Sequence, residues 1–346
     1  MERTSLGTTG IQVSRYCLGA MMFGAWGNRD HDDSIRIIHA ALDSGINFID
    51  TADVYSGGES EEIVGKALKG RRDEVVLATK FVAPMSDDSN HRGSSRRWII
   101  REVEDSLRRL DVDHIDLYQA HRPDPTTDID DTLSALSDLV HQGKVRAIGS
   151  STYPAEQIVE AQWVAERRGR ERFRCEQPPY SIFVRGIETS VLPTCQKYGM
   201  GVIPWSPLAG GWLTGRYRQG SPPPEGGRAR RTPERFDFER AENQRKLALV
   251  EDLIATADEA GLSLTHMAMA FVLEHPGVTS ATIGPRTMEQ LTDVVAGAGT
   301  RLSDEVLDRI DAIVPPGTNV NAADTGWEAA SLRRSQRRRP RRSGQK

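Results

Sequence analysis

The strongest constraint on this chain is a beat. Short apolar runs recur at 16–20, 47–49, 75–79, 115–120, 145–149, 174–177, 201–205 and 281–284, with helical patterns between them. The first seven begin about 26 to 40 residues apart, the length of one strand-plus-helix unit. Residues 34–44 carry Ile35, Ile38 and Leu42 at helical spacing and stop before Gly45. Residues 102–110 repeat the pattern with Val103, Leu107 and Leu110. Strands alternating with helices build a parallel sheet covered by helices. Eight runs favour a closed α/β barrel of the (β/α)8 TIM type over an open sheet. The open alternative would want G-x-G-x-x-G after its first strand, where this chain has Leu18-Gly19-Ala20-Met21-Met22-Phe23-Gly24.

Residues 6–13 read as an N-terminal β-hairpin capping the barrel floor. A long loop is expected between the seventh and eighth βα units, because 216–240 is rich in Pro, Gly and Arg. Helices follow near 244–260 and 265–275. The pattern stops after Pro315-Pro316-Gly317, so one domain is expected over 1–318 and a C-terminal extension over 319–346.

Composition closes off other classes. With 38% hydrophobic and 27% charged residues the chain is neither fibrous nor wholly disordered. No stretch approaches 18 consecutive apolar residues, and no apolar run follows Met1-Glu2-Arg3-Thr4, so neither a membrane span nor a signal peptide is expected. Cys17, Cys175 and Cys195 are odd in number and far apart, which suits a reducing cytoplasm and offers no metal-ligand spacing. The net charge is −4, yet residues 333–346 hold eight Lys/Arg and no acid, which leaves −12 for the rest. A body that acidic repels nucleic acid, and the basic tail is expected to be disordered and solvated.

In a barrel of this type, chemistry sits where strands end. Polar residues follow the apolar runs there: Asp50 and then Tyr55, Lys80, His121, Ser151, Gln177 and Trp205-Ser206-Pro207-Leu208. A free tyrosine holds its proton to about pH 10. An ammonium beside it favours the phenolate, so Lys80, oriented by Asp50, would tune Tyr55 as a general acid. His121 would donate to a substrate carbonyl. Each residue alone has a dull structural explanation, but four at one end of successive strands do not. Phe23, Trp26 and Phe81 follow strands at the same mouth and are expected to line a substrate pocket.

Here the chain resembles the aldo-keto reductases, from Leu6-Gly7 to about Leu307. The family signature is matched by Asn47-Phe48-Ile49-Asp50-Thr51-Ala52-Asp53-Val54-Tyr55, its lysine by Leu77-Ala78-Thr79-Lys80, and its histidine by Tyr118-Gln119-Ala120-His121. The phrases Arg92-Gly93-Ser94-Ser95-Arg96, His121-Arg122-Pro123-Asp124-Pro125 and Cys175-Glu176-Gln177 look closest to the branch holding the potassium-channel β subunits and their bacterial relatives.

The resemblance implies an NADPH-dependent enzyme that reduces an aldehyde or ketone to the alcohol by hydride transfer, with Tyr55 as proton donor. Asp50, Tyr55, Lys80 and His121 would be the catalytic tetrad. Ser151, Thr152 and Gln177 would hold the nicotinamide carboxamide and Trp205 would stack on its ring, although the position of Thr152 is usually Asn in the family. Ser206, Pro207, Leu208, Gly210 and Gly215 would follow the pyrophosphate, with Gly19, Ala20 and Met21 also at the cofactor. Gly284, Arg286, Thr287, Gln290 and Asp293 would grip the 2′-phosphate and adenine, Arg286 through the paired hydrogen bonds of its guanidinium. The rival is a cofactor-binding regulatory module with slow turnover, like the channel β subunits. His121 argues against it, because that subgroup commonly has Asn there. The resemblance leaves self-association open, as monomer or homo-oligomer.

Overall fold

The computed structural model describes residues 1–222, 232–328, 332 and 334–338. The middle of the expected loop, 223–231, and most of the basic tail, at 333 and 339–346, lie outside the described residues. Within the tail, Arg334–Arg337 forms one helical turn.

β1 (Arg3–Ser5) and β2 (Gln12–Ser14) pair antiparallel as the expected hairpin. Eight strands then lie parallel: β3 (Tyr16–Gly19), β4 (Phe48–Asp50), β5 (Val76–Phe81), β6 (Ile115–Ala120), β7 (Val145–Ser150), β8 (Cys175–Glu176), β9 (Gly201–Val202) and β10 (Ala281–Ile283). Their order is β10-β3-β4-β5-β6-β7-β8-β9. The ends of this sheet meet, because Thr282 N donates to Pro204 O at 2.9 Å and Trp205 bridges Thr282 in parallel. The architecture is the (β/α)8 barrel, with every apolar run forming its strand.

Two cores follow from strand alternation. One set of side chains faces outward and packs against the helices. The other fills the barrel interior: Cys17, Phe48, Ala78, Leu117, Ala147, Cys175 and Ile203, with Leu6 and Val13 of the hairpin among them. The next inward position along several strands is polar. Phe48 is followed two residues on by Asp50, Ala78 by Lys80, Leu117 by Gln119, and Cys175 by Gln177. His121 and Ser151 lie four residues beyond Leu117 and Ala147. The alternation that builds the interior therefore aims the polar groups into the mouth above it.

The helices run longer at their starts than periodicity suggests, because polar caps precede the first apolar residues. Asp30 accepts from Asp33 N ahead of the helix His31–Asp43, and Ser95 from Trp98 N ahead of Arg96–Leu110. The helices of the eighth unit span Ala241–Glu259 and Leu264–Glu274.

The packed body runs past 318. Val320 N donates to Phe183 O at 2.9 Å, Asn321 Nδ2 to Asn243 Oδ1 at 3.0 Å, and buried Asp324 pairs with Arg235 and Lys246. The expected domain boundary thus falls inside continuous structure. Periodicity misses this strap because polar side chains, not an apolar stripe, hold it down.

Candidate active site

Tyr55 is presented by a sharp turn, Tyr55–Gly58, in which Ser56, Gly57 and Gly58 all take positive φ. Gly58 is required for a second reason: a Cβ there would stand 2.8 Å from the Arg109 side chain. The turn drops the phenol, 9% exposed, onto the strand ends.

Lys80 organises the centre. Its Nζ donates to Asp50 Oδ2 at 2.6 Å, to Thr51 O at 2.7 Å and to Tyr55 OH at 3.3 Å, which uses all three protons. Gln119 Nε2 donates to the other oxygen of Asp50 at 3.2 Å. The His121 ring meets Tyr55 edge-on with centroids 5.7 Å apart. Asp50, Tyr55, Lys80 and His121 are therefore brought together.

Burial governs their protonation. It opposes the Lys80 ammonium, but Asp50 and Tyr55 raise that group above its ordinary value. Burial, then the cations Lys80 and Arg122, hold His121 well below the usual imidazole range, so it is neutral. For Tyr55 the balance differs from the sequence expectation. Burial raises the phenol more than Lys80 and Arg122 lower it, so it keeps its proton more firmly than a free tyrosine. The ammonium moderates a burial penalty that the sequence did not reveal.

Beside the tetrad, Ser151 Oγ donates to Gln177 O at 2.8 Å, and Thr152 N reaches the same oxygen at 3.2 Å. Gln177 Nε2 is buried and has no hydrogen-bond partner among the described residues. An orphaned amide donor is costly and fits an acceptor brought by a ligand. Thr152 and Ser206 both sit at φ 59°. Trp205 is half-buried next to them. Ser206, Pro207 and Leu208 lead into a tight turn in which Gly210 and Gly215 are left-handed. Gly19 and Ala20 are buried at the end of β3, where Ala20 N donates to Asp50 O at 2.8 Å, and half-buried Met21 follows.

Across the mouth, exposed Gly284 precedes Arg286, and Thr287 caps the helix Met288–Ala296 by accepting from Gln290 N. Gln290 Oε1 accepts from Arg286 N at 2.9 Å. The Arg286 guanidinium makes no ion pair with a described residue, whereas Asp293, further along that helix, lies 3.5 Å from His266. Asn28 Nδ2 donates to Arg286 O at 3.3 Å, tying this loop to the one after β3.

The aromatic pocket candidates separate. Trp26 is half-buried, 6.0 Å from the Tyr55 ring. Phe23 and Phe81 are fully buried members of the outer core, and Phe81 packs on Tyr118 at 4.9 Å. They do not line the mouth: Phe81 is still within β5 and one residue out of step with Lys80, so it points outward. Gln119, Arg122 and Glu176 join the site without having been singled out. Glu176 is buried, accepting from Ser150 Oγ at 2.5 Å and Tyr153 N at 3.1 Å. Gln119 carried a signal, as a lone polar residue at an inward position within an apolar strand.

The profile of the Aldo/keto reductase family matches residues 15–315. An uncharacterized oxidoreductase of Bacillus subtilis (strain 168), YrpG, is 41% identical over 92% of this chain and 97% of its own. The aldo-keto reductase YhdN of the same organism is 39% identical over 91% and 94%. A probable voltage-gated potassium channel subunit beta of Oryza sativa subsp. japonica is 34% identical over 91% and 97%.

Proposed function

Since the chain belongs to the aldo/keto reductase family, we propose that it reduces an aldehyde or ketone to the alcohol at the expense of NADPH. The observation that carries this reading is the three-way bonding of Lys80 Nζ to Asp50, Thr51 O and Tyr55 OH. NADPH, when bound, supplies the hydride to the carbonyl carbon. Tyr55 OH gives its proton to the carbonyl oxygen, and Lys80 lies against the phenolate that remains. Neutral His121 donates to the same oxygen, so charge growing there meets two donors in a site already shielded from water. Asp50 keeps Lys80 charged and fixed.

The residues present suit the cofactor. The orphaned Gln177 amide and the Ser151 hydroxyl would hold the carboxamide, Trp205 would support the ring, and Arg286, without an ion pair among the described residues, favours a 2′-phosphate. A small carbonyl compound as partner and a cytoplasmic setting belong to the same proposal. No described helix is long and apolar enough to cross a membrane. The similarity to a channel subunit beta favours one other reading, a cofactor-binding module with slow turnover.

NADPH consumption with a panel of aldehydes, ketones and keto-sugars separates them. Tight NADPH binding without oxidation by any reactive aldehyde would establish the module. If the enzyme reading holds, Tyr55→Phe loses about a hundred- to ten-thousand-fold in turnover and still binds NADPH. Wild-type turnover in that variant refutes the assignment of Tyr55.

A further inference from the structure

Building on the reductase reading, we infer that Arg122 selects carbonyl substrates that carry a carboxylate. Arg122 directly follows His121 at the end of β6 and is half-buried at the mouth. Its guanidinium donates to His121 O at 2.6 Å and makes two longer contacts, to Thr152 Oγ1 at 3.2 Å and Ser151 Oγ at 3.4 Å. It also lies 5.9 Å from the centre of the Trp205 ring. It forms no ion pair with any described residue.

The other enclosed arginines are better satisfied. Arg109 pairs with Glu61 and Glu102, Arg185 with Glu188 and Asp311, and Arg235 with Asp324. Arg15 has three backbone carbonyls. Arg122 has one carbonyl and two hydroxyls, and the hydroxyls belong to the residues assigned to the nicotinamide. Once these turn to the cofactor, the guanidinium keeps little more than the His121 carbonyl. A cation in that state favours an incoming anion.

The carboxyl groups at the mouth are already engaged by other residues. Asp50 is engaged by Lys80 and Gln119. Glu176 is engaged by Ser150 and Tyr153 N and acts on Arg122 only from beyond ion-pair distance, while burial pushes its carboxyl up to about 7. With Lys80 paired to Asp50, Arg122 is the cation at the mouth without an ion pair to a described residue, and its charge is felt at both Tyr55 and His121. A carboxylate can take two parallel N–H bonds from the guanidinium fork. Because the Arg122 guanidinium lies against Ser151, Thr152 and the Trp205 ring and its charge reaches Tyr55 and His121, a compact molecule would span it and the tetrad. Single-ring or short-chain carboxy-aldehydes have that shape.

The test pairs 4-carboxybenzaldehyde with benzaldehyde, and succinic semialdehyde with butanal, in the full chain with NADPH. The wild type favours the carboxylated member in kcat/KM. Arg122→Met reduces that ratio about ten- to a hundredfold, the range for a charge-assisted hydrogen bond. Arg122→Lys, which keeps the charge but not the fork, loses less, and it carries the test if the methionine variant does not fold. Calorimetry with the alcohol product 4-(hydroxymethyl)benzoate against benzyl alcohol gives a parallel readout without turnover. A ratio unchanged by both substitutions, or a wild type that prefers the neutral member, overturns the assignment. So does a variant that weakens NADPH binding while the ratio stands, since Arg122 would then serve the cofactor. A protein that binds NADPH and reduces neutral aldehydes without preference refutes only the role of Arg122. One that neither binds NADPH nor reduces any aldehyde removes the reductase reading and this inference with it.

Discussion

Asp324 is the deepest anchor of the C-terminal strap, and Asp324→Ala tests whether that strap belongs to the folded body. Its carboxylate is 2% exposed, with Oδ1 accepting from Arg235 Nε at 2.7 Å and Oδ2 lying 2.5 Å from Lys246 Nζ. Lys246 is fully buried, 5.0 Å from the Trp212 ring, and burial lowers its pKa. Alanine leaves two enclosed cations without their anion. Removing one partner of a buried pair costs about 3–5 kcal/mol. Unfolding entropy of about 2.1 cal/mol/K per residue, over roughly 320 ordered residues, gives about 0.7 kcal/mol per degree. The melting temperature should therefore fall by about 4–7 °C, read by differential scanning fluorimetry. Asp308→Ala, at an exposed helix position, is the control and should move it little. Asp324→Leu with Lys246→Met should be milder than Asp324→Ala, because it leaves one enclosed cation, Arg235, without its anion instead of two. A shift below about 1 °C for Asp324→Ala would refute the reasoning and return the strap to the status of a dispensable tail.

Two further outcomes follow from the site. Burial raises the Glu176 carboxyl to about 7 against the hydrogen bonds from Ser150 and Tyr153 N, so the folded protein holds a proton that the unfolded chain releases near its ordinary value of 4.5. Stability present at lower pH is then lost as pH rises from about 4.5 to 7, by up to about 3 kcal/mol; Glu176→Gln should gain melting temperature relative to wild type at pH 8 but not at pH 5, and a difference independent of pH would contradict this. Arg286→Ala should weaken NADPH about ten- to a hundredfold and NADH far less, whereas equal weakening of both would make the residue a support of its loop.

The strands and the tetrad were legible because both are written in short-range pattern. Each apolar run marks a strand, and a residue an even number of places beyond an interior side chain points the same way. Phe48 and Asp50, or Ala78 and Lys80, illustrate the rule, and Phe81 shows its misuse: proximity to the mouth in sequence says nothing when the parity is odd. Long-range polar bonding left no comparable trace. Nothing in residues 319–325 announces that Asp324 meets Arg235 and Lys246, since those partners lie about 80 to 90 residues away and an ion pair has no period. Nor does spacing show that burial outweighs Lys80 at the Tyr55 phenol, because desolvation depends on everything packed around it.

Thr152 lies between these cases. The resemblance marked it only as a departure from Asn. The backbone adds a separate reason for Asn at that position: φ is 59°, in the left-handed region that Asn tolerates and a β-branched side chain strains against. This threonine is held there by its neighbours. Its backbone N–H is fixed on Gln177 O and its hydroxyl receives a bond from Arg122. The substitution therefore trades an amide for a hydroxyl that meets the guanidinium, so the departure from the family pattern and the under-satisfied cation belong to one local arrangement.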